Sequence, residues 1–363
     1  MSAAVEHSLT TEPAAIEREL RRLEEQDATS GQRPVRACMS NLIVYCDDEA
    51  QAARVPPELT TLVERHPARI LLLIGESTAV ASGIAAEVSA LSYQGSGRRQ
   101  VYAEHVRLGA AQAARRRLPA TVRPLLVGDL PTTLWWATPE PPPASETFQQ
   151  LASMADQVLY DSVGWREPAR GVISAANWAV AARQRVADLA WSRNAPWRGL
   201  IAEVFDATWL RGGISAIREV EVEHGPNGLP QVWLLIGWLA SCLGWRLRDG
   251  TLRPGVDITW TFDAGAERVR VTVRRLPEGS PRIRELSIRG GSGSAETVAR
   301  ITALDAENLS LCIEGSVAAQ SAVAMRPLSP ASLLASHLSE RSIDPLFRDA
   351  LASSRELAKA VVA

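Results

Sequence analysis

Lysine is nearly absent from this chain: Lys359 is the single one, and arginine supplies every other basic side chain. The two signs of charge almost balance, with 39 basic and 41 acidic residues and a formal net charge of −2. Binding to nucleic acid or to an anionic membrane draws on an excess of positive charge, which this composition lacks. We therefore expect neither nucleic acid nor a membrane as partner.

Long apolar runs are also missing. The most apolar stretch, Val232–Trp245, falls short of the roughly 20 residues that a membrane-spanning helix needs, and it has the length of a buried helix. The first residues, MSAAVEHSLTTEPAAIERELRR, place no apolar segment after a basic start, so no secretory signal is predicted. The expected location is cytoplasmic.

Cysteine and histidine are few and scattered. The four cysteines form no CxxC pair, and Cys38 and Cys46 would lie about 26 Å apart on an extended strand at ~3.3 Å per residue, too far for a disulfide. The five histidines form neither HxH nor HExxH. We predict isolated thiols and no histidine-based metal site.

Glycine-rich phosphate loops are absent from the predicted parallel strands. The near match, Gly290–Ser294, follows a strand with one wet face, which is typical of a hairpin or a mobile loop. No serine or cysteine lies in a nucleophile elbow, and no catalytic triad follows from spacing. The residues therefore favour a non-catalytic binding or regulatory protein over an enzyme.

The most informative stretch that is present is Leu125–Trp136, LLVGDLPTTLWW. Adjacent residues of a strand point to opposite faces, so burying both Trp135 and Trp136 requires a sheet that is covered on both sides. The pattern predicts a helix over Ala120–Val127, which Gly128 ends, and a strand over Thr132–Ala137.

Buried strands alternate with helices through the first half of the chain. The strands are predicted at Arg36–Cys46, Arg69–Ile74, Gln100–Leu108, Thr132–Ala137 and Gln157–Tyr160. The helices between them are predicted at Pro57–Arg65, Gly109–Leu118, Ala120–Val127 and Glu146–Met154, with Ala79–Leu91 either helical or partly extended. This order predicts an α/β fold with a mostly parallel, Rossmann-like sheet and helices on both faces.

Carboxylates follow several of these strands. Because ligands bind at the carboxyl ends of parallel strands, Asp47, Asp48, Glu76 and Asp161 could form a carboxylate site for Mg²⁺. A solvated acidic rim explains the same residues without any ligand. Four carboxylates without an arginine make a poor phosphate cradle.

The second half begins with long helices predicted at Ala175–Trp191 and Pro196–Leu210, and a buried helix follows at Leu229–Trp245. Alternating strands such as Val256–Phe262 and Val269–Val273 then predict an antiparallel sheet with one wet face, followed by two C-terminal helices. The predicted organisation is an N-terminal helix in 1–30, a Rossmann-like domain in 31–170, a helical connection in 171–215 and an α+β domain with an antiparallel sheet in 216–363.

Arginines project from the wet face of that second sheet, near a strand that carries glutamates. The arginines are Arg268, Arg270, Arg274, Arg282, Arg284 and Arg289, and the glutamates are Glu219, Glu221 and Glu223. Two interpretations remain: cross-strand charge pairing, worth about 0.2–1 kcal/mol per pair, or a basic docking face.

Several motifs together resemble the glucose-6-phosphate dehydrogenase assembly protein family, OpcA. They are RPVRACMSNLIVYC, HPARILLL, RPLLVGDLPTTLWW, QVLYDS and DLAWSRNAPWR, within about residues 33–210. The resemblance implies an accessory protein without catalytic residues or cofactor. It implies a partner, glucose-6-phosphate dehydrogenase, whose active oligomer this protein would promote in the oxidative pentose phosphate pathway.

The resemblance also suggests candidate contact residues. The residues that match its motifs are Asp129, Trp135, Trp136, Asp161, Asp188, Trp191, Arg193, Trp197 and Arg198. Photosynthetic relatives link activation to thioredoxin through a close pair of C-terminal cysteines, and here Cys312 stands alone, which argues against that control.

The alternative function is a metal-dependent sugar-phosphate-binding protein or enzyme that uses the acidic strand ends.

Overall fold

A computed structural model describes most of the chain. The described residues are 8–9, 12–28, 35–36, 38–94, 100–142, 145–206, 213–253, 257–291, 296–315, 319–324, 329–339 and 343–362. They form a mixed α/β structure with two sheets, here called sheet A and sheet B.

Sheet A contains nine strands. They are β1 (Ser8–Leu9), β2 (Val35–Arg36), β3 (Ser40–Asp48), β4 (Ala68–Glu76), β5 (Ile84–Gln94), β6 (Gln100–Ala110), β7 (Thr132–Trp136), β8 (Gln157–Tyr160) and β9 (Arg185–Asp188). The order is β1-β5-β6-β4-β3-β7-β8-β9, with β2 beside β6. The six neighbouring strands β6-β4-β3-β7-β8-β9 run parallel, whereas β5 pairs antiparallel with β6. The order reverses between β3 and β7, as in a Rossmann-like sheet.

Eight helices accompany sheet A along the chain. They are α1 (Pro13–Ala28), α2 (Glu49–Ala52), α3 (Pro56–Arg65), α4 (Leu118–Val122), α5 (Glu146–Ala152), α6 (Pro168–Ala181), α7 (Leu189–Arg193) and α8 (Ala195–Asp206). Trp136 lies in the larger apolar core with Phe148 of α5, and Trp135 lies in the core on the opposite face with Leu59 of α3. The prediction of a sheet covered on both faces is therefore confirmed.

Sheet B contains the remaining strands. They are β10 (Ile217–His224), β11 (Arg246–Arg253), β12 (Asp257–Ala264), β13 (Glu267–Arg275), β14 (Ile283–Gly290), β15 (Thr297–Ala303), β16 (Asn308–Glu314) and β17 (Ala319–Ala324). The order is β11-β12-β13-β10-β14-β15-β16-β17. The sheet is mostly antiparallel, as predicted, and differs from the prediction where β10 runs parallel to β13.

The described part of the chain has three further helices: α9 (Leu229–Leu243), α10 (Pro330–Ser339) and α11 (Pro345–Val362). Helices α9 and α11 pack together, and their apolar residues join one face of sheet A and the inner face of sheet B in one continuous core. Helix α10 instead lies against α3, in the core on the other face of sheet A. The last part of the chain therefore contacts both sheets.

Several predicted helices are wrong. The predicted helix Ala175–Trp191 is interrupted: α6 ends at Ala181, β9 adds to sheet A, and α7 begins at Leu189. Residues predicted as the helix Gly109–Leu118 finish β6 and then form a 3₁₀ helix at Gln112–Arg117.

The segment before the two tryptophans also differs from its prediction. Helix α4 ends at Val122 and a 3₁₀ turn covers Arg123–Leu125, so Gly128 does not end a helix. A second turn follows before β7, and its left-handed residue is Asp129, with φ 63°. Residues 207–210 of the predicted helix Pro196–Leu210 and residues 292–294 of the glycine-rich stretch lie outside the described residues.

Candidate functional site

The carboxyl ends of β3 and β7 meet where the order of sheet A reverses, which is the usual ligand position in such a sheet. The junction between β3 and α2 reads Asp47–Asp48–Glu49, without glycine. The Asp48 carboxylate accepts from the backbone N–H of Gln51 at 2.8 Å and so caps the first turn of α2. The Gln51 side chain in turn accepts from the N–H of Asp47 at 2.9 Å. Side chains of the chain itself therefore use backbone donors that a phosphate would need.

Arginines reach this edge from β6 and from the 3₁₀ helix that follows it. Arg107 donates to Glu87 at 2.7 Å and also to Glu49. Arg115 lies 3.4 Å from Asp47 and packs over the Tyr45 ring, with 5.5 Å between the guanidinium carbon and the ring centroid. The edge that was predicted to carry only acidic side chains therefore also carries arginines that pair with them.

The same edge is closely filled. The Tyr45 ring stacks on Trp136 with 4.2 Å between ring centroids, and its hydroxyl lies where a Cβ on Gly75 would be. Burial, the larger effect, raises the pKa of Tyr45, and burial also raises the pKa of the Asp47 carboxyl. The Tyr45 ring thus fills the space over Gly75, near the carboxyl end of β4.

The residues present do not fit a dinucleotide or a carboxylate-bound metal ion at this edge. The N–H groups of Asp47 and Gln51 already donate to side chains of this chain, and the Asp48 carboxylate caps α2 where a phosphate would lie. Within the described ranges, no group of three or more His, Cys, Asp or Glu side chains is placed to hold a metal. The sequence left a Mg²⁺ site or a solvated acidic rim open for Asp47, Asp48, Glu76 and Asp161, and these side chains do not form such a metal-binding group.

The motif Asp188–Arg198 forms a second cluster, beyond the end of β8. Asp188 is buried and caps α7, accepting from the N–H of Ala190 at 2.9 Å and from that of Ser162 at 3.1 Å. Burial chiefly, and then the charge of Asp161, raise the pKa of Asp188 to about 7. Arg193 donates twice to Asp161, at 2.7 Å each, which fixes the end of β8 to α7.

Trp191 connects this cluster to the C-terminal helices. Its indole N–H donates to Asp344 at 2.7 Å, just before α11. Arg198 stacks over the Trp191 ring at 3.6 Å and donates to the Trp191 carbonyl at 2.8 Å. Burial lowers the pKa of Arg198 to about 10. The Asn194 amide reaches the Gln231 carbonyl of α9 at 2.9 Å. The motif therefore joins sheet A to α9 and α11.

The predicted motif residues do not form one site. Asp161, Asp188, Trp191, Arg193 and Arg198 belong to the cluster just described. The other three tryptophans, Trp135, Trp136 and Trp197, are buried in the apolar cores.

Asp129 is exposed, in the turn at the opposite, amino edge of sheet A. The Asn41 side chain of β3 holds this turn through the N–H of Val127 at 2.9 Å and its carbonyl at 3.0 Å. Sequence reasoning missed Asn41, since no local pattern marks its role. It also missed Asp344, although an aspartate directly before Pro345 is a helix-start signal.

These features define a class of protein: a two-sheet α/β protein whose Rossmann-like sheet has its ligand edge closed by its own side chains. Two family models match the chain in order. They are described as the glucose-6-phosphate dehydrogenase subunit N-terminal domain, over residues 60–177, and C-terminal domain, over residues 184–351. The chain belongs to the OpcA family.

Curated relatives agree with this family. The chain is 34% identical over 185 residues to an OpcA protein of Nostoc punctiforme that is provisionally assigned to the OxPP cycle, covering 50% of this chain and 39% of that protein. It is 32% identical over 154 residues to the corresponding Synechocystis protein, covering 42% and 32%. The matched region thus spans well under half of each relative.

A solved structure with a similar fold is the super-repressor mutant of Gal80p from Saccharomyces cerevisiae. The TM-score is 0.52 at 9% identity, and the match covers 89% of this chain and 95% of that one. At this identity the likeness concerns the fold alone. Among the described residues, no helix combines the length and apolar character that crossing a membrane requires.

Proposed function

We propose that this protein is a non-catalytic accessory protein that binds glucose-6-phosphate dehydrogenase and favours its active oligomer. The observation that carries the proposal is the match, in order, to both domain models described as parts of a glucose-6-phosphate dehydrogenase subunit. The closed ligand edge of sheet A supports the non-catalytic part, because the junction between β3 and α2 offers carboxylates and two occupied N–H donors.

Activation without chemistry requires a difference in affinity. If the protein binds the active oligomer of the dehydrogenase more tightly than its inactive form, binding shifts the population toward the active form. Couplings of this kind typically change affinity by about 5–150-fold. The same coupling works in reverse, so conditions that favour the active oligomer strengthen binding of this protein.

The exposed turn at Asp129 is our proposed contact with the dehydrogenase. Asp129 is exposed, and two hydrogen bonds between Val127 and the Asn41 side chain hold the turn in place. A turn fixed before binding loses little conformational freedom on association. The buried motif residues, such as Trp191 and Arg193, would then act by fixing the packing between sheet A and the C-terminal helices.

The experiment is a titration of the purified full-length chain into the cognate dehydrogenase while NADPH formation is followed. We expect a saturable rise in rate, with no NADPH formed by the chain alone. An Asp129→Arg variant should need a higher concentration for the same effect, whereas Asp305→Arg, an exposed change in the β15–β16 turn, should not. A rate that stays flat across the titration would refute the proposal.

A further inference from the structure

Two adjoining cavities lie between the loop after β8 and the neighbouring part of sheet B. Their volumes are about 250 and 440 Å³. Both are lined by Pro168, Leu229, Leu252 and Ile258, so they form one groove. The groove runs between the N-terminal ends of α6 and α9 on one side and strands β11 and β12 on the other. It lies outside the closed ligand edge described above.

Positive charge is concentrated in the smaller cavity. Arg166, Arg253 and Arg275 line it, against one carboxylate, Asp257. Arg253 is paired with that carboxylate, with 2.8 Å between Nε and Oδ1. Arg275 has no ion pair among the described residues, and Arg166 forms an exposed ion pair with Glu140 at 3.8 Å. Three arginines against one lining carboxylate leave a positive balance in the cavity, which favours an anionic ligand.

A buried histidine adds a hydrogen-bonding group to the same cavity. His224 is 3% exposed, and its Nδ1 donates to the Gly225 carbonyl at 2.7 Å, since a carbonyl can only accept. Nε2 is then the nitrogen that is left to accept from a hydroxyl group. Burial, and also the nearby charge of Arg275, lower the pKa of His224, so the ring is neutral at pH 7.

The remaining wall is apolar, and Trp165 and Val273 are among its residues. An apolar wall beside a few charged and hydrogen-bonding groups is typical of a small-molecule site.

We propose that this cavity binds a small phosphorylated ligand that carries hydroxyl groups, of the sugar-phosphate class. The arginines hold the phosphate, and Nε2 of His224 accepts from a hydroxyl. The ligand would contact the loop after β8 and sheet B together, close to the backbone bond from Gly164 N–H to the Asn227 carbonyl at 3.2 Å. This site does not depend on the proposed role toward the dehydrogenase.

The test is calorimetric titration of the full-length chain, without any partner protein. The probes are glucose 6-phosphate, inorganic phosphate and glucose, each up to about 10 mM, a range that detects millimolar affinity. We expect binding of glucose 6-phosphate, weaker binding of phosphate and none of glucose. Equal binding of the two phosphates would refute the role of the hydroxyl groups, and no heat from either would refute the site.

A matched pair of variants locates the site. Arg275→Gln should weaken glucose 6-phosphate binding about tenfold, because it removes a charged donor. Arg284→Gln alters an exposed arginine of β14 that lies outside the groove, and should leave the affinity unchanged. Equal weakening by both variants would show unspecific attraction and overturn the proposal.

A second readout follows the His224 ring by NMR. A bound phosphate adds negative charge beside the imidazole and should raise its pKa, in the wild type far more than in the Arg275→Gln variant. A His224 pKa that does not respond to saturating glucose 6-phosphate would contradict the assignment.

Discussion

Arg69 is a buried cation at the amino edge of sheet A. It donates to Glu104 at 2.6 Å, to Glu17 of α1 at 2.5 Å and to the Leu125 carbonyl at 2.7 Å. One side chain thereby connects β4, β6, α1 and the segment before the Asp129 turn. The HPARILLL run predicted the buried strand and left the role of its arginine unseen, because the partners are distant in sequence.

Replacing Arg69 should be costly. Arg69→Met keeps the apolar stem and removes the Arg69 counter-charge of the buried Glu104 carboxylate, so we expect a loss of about 3–5 kcal/mol in the free energy of unfolding. Arg65→Gln, an exposed change at the end of α3, is the control and should cost below about 0.5 kcal/mol. Urea denaturation followed by circular dichroism measures both. Similar midpoints for the two variants would contradict the role given to Arg69.

Asp188 predicts a pH dependence of stability. Its pKa is raised to about 7 in the folded chain, against about 3.9 when unfolded, so between these values the folded state holds a proton that the unfolded state has lost. The free energy of unfolding should therefore fall as the pH rises from about 4 to about 7. Asp188→Asn keeps an acceptor for Ser162 and Ala190 and should flatten this part of the profile. Urea midpoints at several pH values test it, with Asp129→Asn as the control that keeps the slope.

The pair Trp135 and Trp136 shows what a local sequence pattern can and cannot predict. Trp135 and Trp136 were predicted on opposite faces, and the structure places them in the two separate cores. The turn before them was predicted wrongly, because Asn41 from β3 fixes its conformation and Asp129 takes the left-handed position. The alternation of side chains along one strand can be predicted from neighbouring residues, whereas a hydrogen bond from a distant strand cannot.

At the scale of elements, pairing with a neighbouring strand explains why two segments were wrongly predicted as helices. Residues 175–191 have enough apolar spacing for one helix, yet Arg185–Asp188 pairs in register with Gln157–Tyr160 and extends sheet A. Likewise, β6 continues to Ala110 because it pairs with β5 along its whole length. Local helix propensity is a weak prior that tertiary contacts override.

Alanine substitutions at two helical glycines are predicted to change stability in opposite directions. A Cβ on Gly237 of α9 would lie 2.5 Å from the Ala350 carbonyl and 2.7 Å from the Ser354 hydroxyl of α11. Gly237→Ala should therefore destabilise the chain by about 1–3 kcal/mol, although alanine favours helices.

The matched control is Gly199 of α8, where a Cβ would meet nothing within 4 Å. Gly199→Ala should stabilise by up to about 1 kcal/mol. Thermal unfolding measures the two variants side by side. A stabilising Gly237→Ala would contradict the close packing of α9 on α11.

At the scale of the whole molecule, the layer architecture followed from the sequence, and the position of the C-terminal helices did not. Alternating strands and helices predicted sheet A, and period-two strands predicted sheet B. The return of α10 to the face of sheet A that α3 covers left no local signal, because the apolar face of a helix does not indicate which element it packs against. The boundaries at 31–170, 171–215 and 216–363 stay a prediction, and limited proteolysis of the full-length chain would locate them.

The charged face of sheet B has pairs of the predicted cross-strand kind. Arg274 donates to Glu221 at 3.1 Å, Arg289 lies 3.4 Å from Glu219, and Arg300 donates to Glu285 at 3.0 Å. Such exposed pairs contribute about 0–1 kcal/mol each. Glutamates thus offset Arg274 and Arg289, two of the six arginines that the sequence offered for a basic docking face.

Sedimentation velocity of the full-length chain mixed with glucose-6-phosphate dehydrogenase tests the proposed partnership most directly. The two proteins should co-sediment in one species heavier than either alone, and the dehydrogenase in it should be in a higher oligomeric state than without this chain. Two boundaries with unchanged sedimentation coefficients, at concentrations well above those expected in a cell, would contradict it.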